Sequence, residues 1–164
     1  MTDAIKKILL CVMLLVAVAF GITSCDSIDC SLENQVLCQM GFYDATGVPV
    51  ALTDTLTITA AGTDSVLYNR GIKTSKLGLP LSYYKDGDTL TLTLYGEHYT
   101  LMDDVVIKKT NYEHFESLDC PVKMMHVING VESTNHFIDS VVVVSPKVEY
   151  NNGENIKIYL HTAD

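Results

Sequence analysis

The stretches Thr55-Leu56-Thr57-Ile58-Thr59-Ala60 and Thr89-Leu90-Thr91-Leu92-Thr93-Leu94 decide the fold class of this chain. In both, threonine alternates with an aliphatic residue. Successive side chains of a strand point to opposite faces, so each stretch predicts a strand with one apolar face and one solvent-exposed face. No window beyond the first 24 residues shows the sustained three-and-four spacing of an amphipathic helix. The sequence therefore predicts an all-β domain.

The same alternation predicts short strands at 65–68 and 81–84 before the second threonine-rich strand. Gly96-Glu97 is typical of a two-residue hairpin turn that leads into a strand from His98. That strand is expected to continue to Ile107 across an irregularity at Asp103-Asp104. Strands thus follow one another at short spacing through the middle of the chain.

In the second half, Asn129-Gly130 is the strongest hairpin signal and predicts a turn between strands 122–128 and 131–137. The apolar, β-branched run 138–144 is the best candidate for a central strand, and 155–160 alternates again. Nine or so strands separated by turn residues indicate a two-sheet β-sandwich with immunoglobulin-like architecture. A partly closed barrel is the alternative.

The N-terminal segment predicts export. Lys6 and Lys7 precede an apolar run of 15 residues, Ile8 to Ile22, which suits a signal peptide, since a membrane span needs about 20 apolar residues. The run ends in Ile22-Thr23-Ser24-Cys25, which resembles the lipobox of bacterial lipoproteins. We expect residues 1–24 to be a signal peptide and Cys25 to carry acyl chains such as palmitate. A plain signal peptide cut elsewhere, or an uncleaved anchor, is the alternative.

The anchor predicts where the domain lies. Residues 25–32 form a short lipidated tether and residues 33–164 form the sandwich. Each buried methylene contributes about 0.8 kcal/mol, so two or three acyl chains hold a soluble domain stably at a membrane. The expected localisation is the cell envelope, with the outer membrane preferred. The two acidic residues Asp26 and Asp29 after the lipid do not form a dense run, so the leaflet stays open.

Charge excludes one class of partner. The whole chain has a net charge of −9, and without residues 1–24 the count is 9 basic against 19 acidic residues. An acidic domain repels nucleic acid and anionic headgroups, so no nucleic-acid role is expected and the membrane link must come from the lipid.

Three cysteines follow Cys25 in the sequence. An exported protein enters an oxidising compartment, in which disulfides are expected to form. Cys38 shares an apolar face with Val36 and Met40, so we expect it to be buried and inert. Cys30 and Cys120 lie outside such patterns, which predicts a disulfide between them, with Cys38–Cys120 as the runner-up. By the chain-entropy estimate a loop of this length stabilises the fold by roughly 4–5 kcal/mol.

Several stretches together resemble a known family: Asp29-Cys30-Ser31-Leu32-Glu33-Asn34, Gly41-Phe42-Tyr43, Leu52-Thr53-Asp54-Thr55-Leu56-Thr57, His114-Phe115-Glu116-Ser117-Leu118-Asp119-Cys120-Pro121, and Ile138-Asp139-Ser140 with Asn155-Ile156-Lys157-Ile158-Tyr159. They are similar to small, uncharacterised lipoproteins of Bacteroidetes classed as a domain of unknown function. The resemblance extends over nearly the whole chain after residue 24. It implies no activity, cofactor or catalytic residue, and it agrees with the Cys30–Cys120 pairing.

No catalytic motif is present. The chain has no nucleophile elbow, paired-histidine zinc motif, phosphate loop or dinucleotide fingerprint, so we expect no enzyme and no cofactor. Three histidines, His114, His126 and His136, could converge on a metal, but separate roles are the expectation. Asp86-Gly87-Asp88 and Asp103-Asp104 could bind calcium, yet an Asp-Gly turn needs no ion, and consecutive strand residues face opposite sides. No metal site is therefore expected.

Nine tyrosines and no tryptophan leave room for an aromatic ligand platform, for example at Tyr83-Tyr84 or at Tyr95 and Tyr99. If 81–84 is a strand, only one of Tyr83 and Tyr84 can join such a surface while the other packs inward. The leading expectation is a non-enzymatic, lipid-anchored envelope protein that acts as a structural or accessory interaction module for another envelope protein. The alternative is a surface lipoprotein that binds a glycan or calcium, and a hydrolase comes third.

Overall fold

The two threonine-rich stretches form neighbouring antiparallel strands in the computed structural model, which describes residues 35–118, 120–150 and 153–161. Leu56 lies opposite Leu94 and Ile58 opposite Leu92, and all four side chains are buried. The cross-strand threonine pair Thr57 and Thr93 lies between them. The predicted alternation is confirmed, because one face of this pair supplies the core.

Ten strands are present in the described residues. They are β1 (Cys38–Tyr43), β2 (Thr55–Ala60), β3 (Val66–Gly71), β4 (Lys76–Leu79), β5 (Gly87–Tyr95), β6 (Thr100–His114), β7 (Lys123–Ser133), β8 (Ile138–Val143), β9 (Lys147–Val148) and β10 (Ile156–Leu160).

The strands form two sheets with the orders β4-β1-β10-β8 and β3-β2-β5-β6-β7-β9. Both sheets contribute to one apolar core, in which Phe42 and Ile158 from the smaller sheet join Ile58, Leu92 and Ile107 from the larger one. The predicted all-β, two-sheet sandwich is confirmed, and the barrel alternative is wrong because the sheets do not join into one. No helix that could span a membrane occurs in the described residues.

Two strand predictions at the smaller sheet have different outcomes. The stretch 155–160 is confirmed as β10, which pairs in parallel with β1 and antiparallel with β8. The apolar run 138–144 forms β8, but β8 is an edge strand, so the prediction of a central strand is wrong. Val142 is accordingly exposed.

The predicted hairpin at Asn129-Gly130 is wrong. Both residues lie inside β7, which pairs with β6 along its whole length. Lys108 pairs with Gly130 and Lys109 with Ile128, so Asn129 is the extra residue of a bulge. The bulge absorbs the turn-prone dipeptide without ending the strand.

Three shorter predictions are also wrong. Residues 81–84 form no strand, and β4 at 76–79 takes that place in the chain. Gly96-Glu97 belongs to a four-residue loop, since Tyr95 pairs with Thr100. Asp103-Asp104 causes no irregularity, because both residues pair in register with β5.

A buried polar cluster, formed by Lys109 and Asn111 of β6 and His126 of β7, links the larger sheet to loop 82–86. Lys109, on β6, is fully buried, and its ammonium group donates to the carbonyl oxygens of Ser82 and Lys85 and to Asn111 Oδ1. His126 Nδ1 lies 2.7 Å from the same Asn111 oxygen. Because Asn111 Nδ2 donates to Lys85, its Oδ1 is the acceptor and His126 carries the proton on Nδ1. This cluster fixes the loop to the strand beneath it.

Candidate binding cleft

A cleft of about 320 Å³ opens at one end of the sandwich, where β5, β6 and β10 meet the loops before β2 and before β8. We call it the Asp54–Tyr99 cleft. Leu52, Leu94 and Phe137 are buried side chains of its apolar floor. Its lining residues are Ala51, Leu52, Thr53, Asp54, Leu94, Tyr99, Leu101, His136, Phe137, Leu160 and His161.

Strand register brings Asp54 and Tyr99 together. Thr55 pairs with Tyr95, so the residue before β2 lies beside the loop after β5. Tyr99 Oη donates a hydrogen bond to Asp54 Oδ2 at 2.5 Å, which raises the pKa of the tyrosine hydroxyl. About half of the Tyr99 residue surface remains exposed. The rim therefore presents an aromatic ring beside a carboxylate.

Gly96 permits this position of the ring. The Tyr99 carbonyl accepts a hydrogen bond from Gly96 N at 3.0 Å, which closes the loop. A Cβ atom on Gly96 would lie 2.4 Å from the Tyr99 ring, closer than side chains approach one another. This position of the Tyr99 ring thus depends on a residue without a side chain at position 96.

His136 is held on the rim by a buried carboxylate. Asp103, on β6, accepts hydrogen bonds from Thr134 Oγ1 and from the backbone N–H groups of His136, Phe137 and Ile138. Burial alone would raise the pKa of this carboxyl, but these donors outweigh it and the pKa is lowered. Asp103 Oδ1 also lies 2.9 Å from His136 Nδ1, so Nδ1 carries the proton in this contact.

His161 completes the rim. Its backbone N–H donates to the Phe137 carbonyl at 3.0 Å, which ties the end of β10 to the loop before β8. Its Nε2 contacts Asn135 Oδ1, and its Nδ1 lies 3.7 Å from Asp139. The two histidines of the cleft are therefore bonded to a carboxylate and an amide, and neither contacts a hydroxyl or thiol nucleophile through these bonds.

The cysteine predictions fall into two groups. Cys25 and Cys30 lie outside the described residues, so lipidation and the Cys30–Cys120 disulfide stay predictions. Cys38 is buried, as expected, and it is a free thiol, so the runner-up pairing of Cys38 with Cys120 is wrong. Burial raises the pKa of the Cys38 thiol to about 12, with a smaller contribution from Asp88. Such a thiol is a poor nucleophile.

The three histidines considered as metal ligands have separate partners. The His114 ring stacks edge-on against Tyr150, with centroids 5.8 Å apart, and His126 is buried against Asn111. His136 contacts Asp103. Within residues 35–118, 120–150 and 153–161, no group of three or more potential metal ligands comes together.

Three of the four aspartates considered for calcium, Asp88, Asp103 and Asp104, serve the fold. Asp88 accepts a hydrogen bond from Ser82 N and lies 3.6 Å from Lys109 Nζ. The expected opposite facing of the Asp103-Asp104 pair is confirmed, because Asp103 is buried while Asp104 accepts from Thr91 Oγ1. These carboxylates bind donors of the protein itself.

The tyrosine expectations are partly wrong. Tyr83 and Tyr84 are both exposed, because they lie in a loop and the strand rule of opposite faces does not apply to them. Of Tyr95 and Tyr99, both exposed, only Tyr99 lines the cleft. The sequence patterns did not identify Asp54, His161 or His136 as residues of this cleft. The one available signal was Asp54, a carboxylate directly before a threonine-rich strand.

Comparison with known proteins gives a single result. No curated protein and no solved structure matches the chain. A family of unknown function, DUF6452, matches residues 55–160, which include β2 to β10 and the rim residues Tyr99 and His136 but not Asp54 or His161. Because the match covers more than half of the sequence, the chain belongs to the family of unknown function DUF6452.

Proposed function

We propose that this protein is a non-enzymatic, lipid-anchored component of the cell envelope that acts as an accessory interaction module. The lipobox-like stretch ending at Cys25 supports the anchor. The Asp54–Tyr99 cleft is the binding site, and the observation that carries this assignment is the exposed Tyr99 ring held beside Asp54 above an apolar floor. The outer membrane is the proposed location.

The chemistry of the cleft supports binding rather than catalysis. The hydrogen bond to Asp54 makes Tyr99 a weaker acid, and the two histidines are bonded to Asp103 and Asn135. Covalent catalysis needs a nucleophile within hydrogen-bond reach of a base. The free thiol among the described residues, Cys38, is buried in the core with a raised pKa. An aromatic anchor with a few fixed polar groups is typical of a recognition surface.

The leading partner is another envelope protein. An apolar floor with a tyrosine at the rim suits an apolar side chain of a partner, and Asp54 suits a neighbouring basic or hydroxyl group. The acidic charge of the domain repels nucleic acid, so no nucleic-acid partner is proposed.

A photo-crosslinking amino acid placed at Tyr99 in intact cells tests this proposal. Tyr95 is the matched control, because it is similarly exposed on the same hairpin but does not line the cleft. We expect a discrete adduct with one envelope protein from position 99 and none from position 95. The same adducts from both positions, or none from position 99 in correctly anchored protein, would overturn the proposal.

The second candidate function is glycan binding, which the Tyr99–Asp54 pair favours. An exposed tyrosine ring can stack on the apolar face of a sugar while the carboxylate accepts its hydroxyl hydrogens. A panel of soluble neutral glycans separates the two candidates. Retention of a glycan that Asp54→Asn and Tyr99→Ala both abolish, and Tyr95→Ala leaves intact, would establish the second candidate.

We also propose that Cys30 pairs with Cys120. Cys38 is free and buried, so Cys30 is the cysteine left for Cys120 once Cys25 is acylated and residues 1–24 are removed. Mass mapping of the unreduced protein tests the pairing, and a free Cys30 thiol would reject it.

A further inference from the structure

The end of the sandwich opposite the Asp54–Tyr99 cleft is where the chain enters the domain. Residues 35–37 border a second cleft of about 380 Å³, together with Pro80, Tyr83, Lys123 and Met124. Val36 also pairs with Tyr150, which contacts the His114 ring at the end of β6. Loop 82–86 and the described residues of the β6–β7 connection, 115–118 and 120–122, therefore belong to this entry end.

Exposed apolar side chains gather in these two loops. Leu118 is fully exposed and Tyr84 is 90% exposed. Single exposed apolar residues are ordinary on protein surfaces, whereas a group of them at one place marks an interaction surface. We call this group the apolar tip, and its members are Tyr83, Tyr84, Phe115, Leu118 and Val122.

The tyrosines of the apolar tip are held outward by the buried cluster. Lys109 Nζ donates to Ser82 O and Lys85 O, each at 2.6 Å, and these carbonyls flank Tyr83 and Tyr84 on both sides. The two rings lie edge to face with centroids 6.4 Å apart. The loop is thus anchored to the core while its rings point away from it.

The length of the proposed tether restricts how the domain can lie on the membrane. Ten residue steps separate Cys25 from Gln35, which span at most about 36 Å. From Leu101, beside the cleft, to His114 at the entry end, β6 runs thirteen steps, or about 43 Å at 3.3 Å per step. A lipid at Cys25 therefore keeps the entry end within about 36 Å of the bilayer, and the sandwich is too long to turn its cleft end straight towards the bilayer.

We propose that the apolar tip inserts into the headgroup region of the bilayer that holds the acylated Cys25. This inference rests on the proposed lipid anchor. Tyrosine suits a membrane interface, because its ring is apolar and its hydroxyl is polar. Lys85 and Lys123 lie at the same end as Glu116, so opposite charges are mixed and insertion depends on the apolar side chains rather than on anionic lipid.

The absence of tryptophan from the chain permits a direct test with single-tryptophan reporters. Leu118→Trp is made in the lipidated protein and reconstituted into phosphatidylethanolamine–phosphatidylcholine vesicles, with or without bromine on the acyl chains. Phe115→Trp is a second reporter in case the first disturbs the loop. Tyr99→Trp, at the cleft, is the matched control.

We expect brominated lipid to quench both tip reporters at least twofold and to leave the control within about 10% of its unquenched intensity. Protein that floats with the vesicles while both tip reporters stay unquenched would overturn the apolar tip and leave the anchor intact. Equal quenching of the tip and the control would also overturn it, because the domain would then lie on its side. Protein that does not float at all would show instead that the lipid anchor is wrong.

Discussion

Lys109 Nζ lies 2.6 Å from the carbonyl oxygen of Ser82, although the two residues are 27 positions apart and belong to a strand and a loop. Lys85 O and Asn111 Oδ1 take the other two donors of the ammonium group. Burial lowers the pKa of Lys109, and Asp88, 3.6 Å away, opposes that shift. A buried lysine whose three donors are all used serves to hold the loop.

Replacing Lys109 with methionine is expected to destabilise the domain by about 3 kcal/mol, because two loop carbonyls and Asn111 Oδ1 lose their buried donor and Asp88 loses its ion-pair partner. Lys108→Met is the matched control. That neighbouring side chain is more than half exposed and pairs with exposed Glu132, so its loss changes stability by less than about 0.5 kcal/mol.

Urea unfolding measures both variants, and hydrogen exchange reports whether loop 82–86 loosens in Lys109→Met. Equal stability of the two methionine variants would show that the buried ammonium does not hold the loop.

The lowered pKa of buried His126 predicts that the free energy of unfolding falls at mildly acidic pH. Burial, with a contribution from Lys109, lowers the pKa of His126 from 6.5 to about 4. Between these values the unfolded chain binds a proton that the folded protein does not, so stability decreases as the pH falls. The loss between pH 7.5 and pH 4.5 amounts to about 2–3 kcal/mol.

Urea unfolding at several pH values tests this slope. His126→Gln is expected to flatten it, and His98→Gln, which removes an exposed histidine, is expected to leave it unchanged. A slope that survives in His126→Gln would assign the effect to other groups.

The lowered pKa of Asp103 predicts a separate loss of stability at lower pH. Its folded-state pKa lies below the ordinary value of 3.8, so its stabilising effect is present above that value and is lost as the pH falls through the folded-state pKa. Asp103→Asn leaves several of its hydrogen-bond donors poorly paired and is expected to cost about 2–4 kcal/mol at pH 7. Asp64→Asn, on an exposed turn, is the control with little effect.

Thermal unfolding of wild type and Asp103→Asn from pH 7 to pH 2 checks this. The difference between the two proteins should shrink toward the acid end. A constant difference over the whole range would mean that the charge of Asp103 is not what stabilises the loop before β8.

Cys38 is expected to be unreactive until the protein unfolds. It is fully buried and its pKa is raised to about 12, so almost no thiolate is present or accessible at neutral pH. Iodoacetamide at pH 8 should leave it unmodified in the native protein and alkylate it fully in 8 M urea. Rapid alkylation in native protein would contradict its place in the core.

The sequence patterns predict those strands whose alternation matches their final burial. The runs around Leu56, Leu92 and Ile158 are apolar on one face and form strands where expected. The burial of Cys38 follows from the same reasoning. Such local patterns are reliable because each strand buries one face against the same core.

Other predictions were wrong because pairing decides what the local sequence leaves open. Asn129-Gly130 is a strong turn signal, yet the long pairing of β7 with β6 turns it into a bulge. The valine-rich run of β8 looks like a central strand, but apolar composition does not say which strand ends a sheet.

Only part of the cleft could be predicted from the sequence. Tyr99 was identified as an exposed aromatic candidate, whereas its partner Asp54 lies 45 residues away. Their contact depends on the register of β2 against β5, which local patterns do not determine. The hydrogen bonds from Lys109 to loop 82–86 could likewise not be predicted, because a lysine in an alternating strand is normally expected to face water.

In the proposed function, an acylated Cys25 anchors a binding domain in the cell envelope. Metabolic labelling with radioactive palmitate tests it most directly, comparing wild type with Cys25→Ala and with Cys38→Ala as the control for loss of a different cysteine. We predict label on wild type and Cys38→Ala and none on Cys25→Ala. Continued labelling of Cys25→Ala, or an unlabelled wild-type protein that is free in solution, would show that Cys25 is not the lipid anchor.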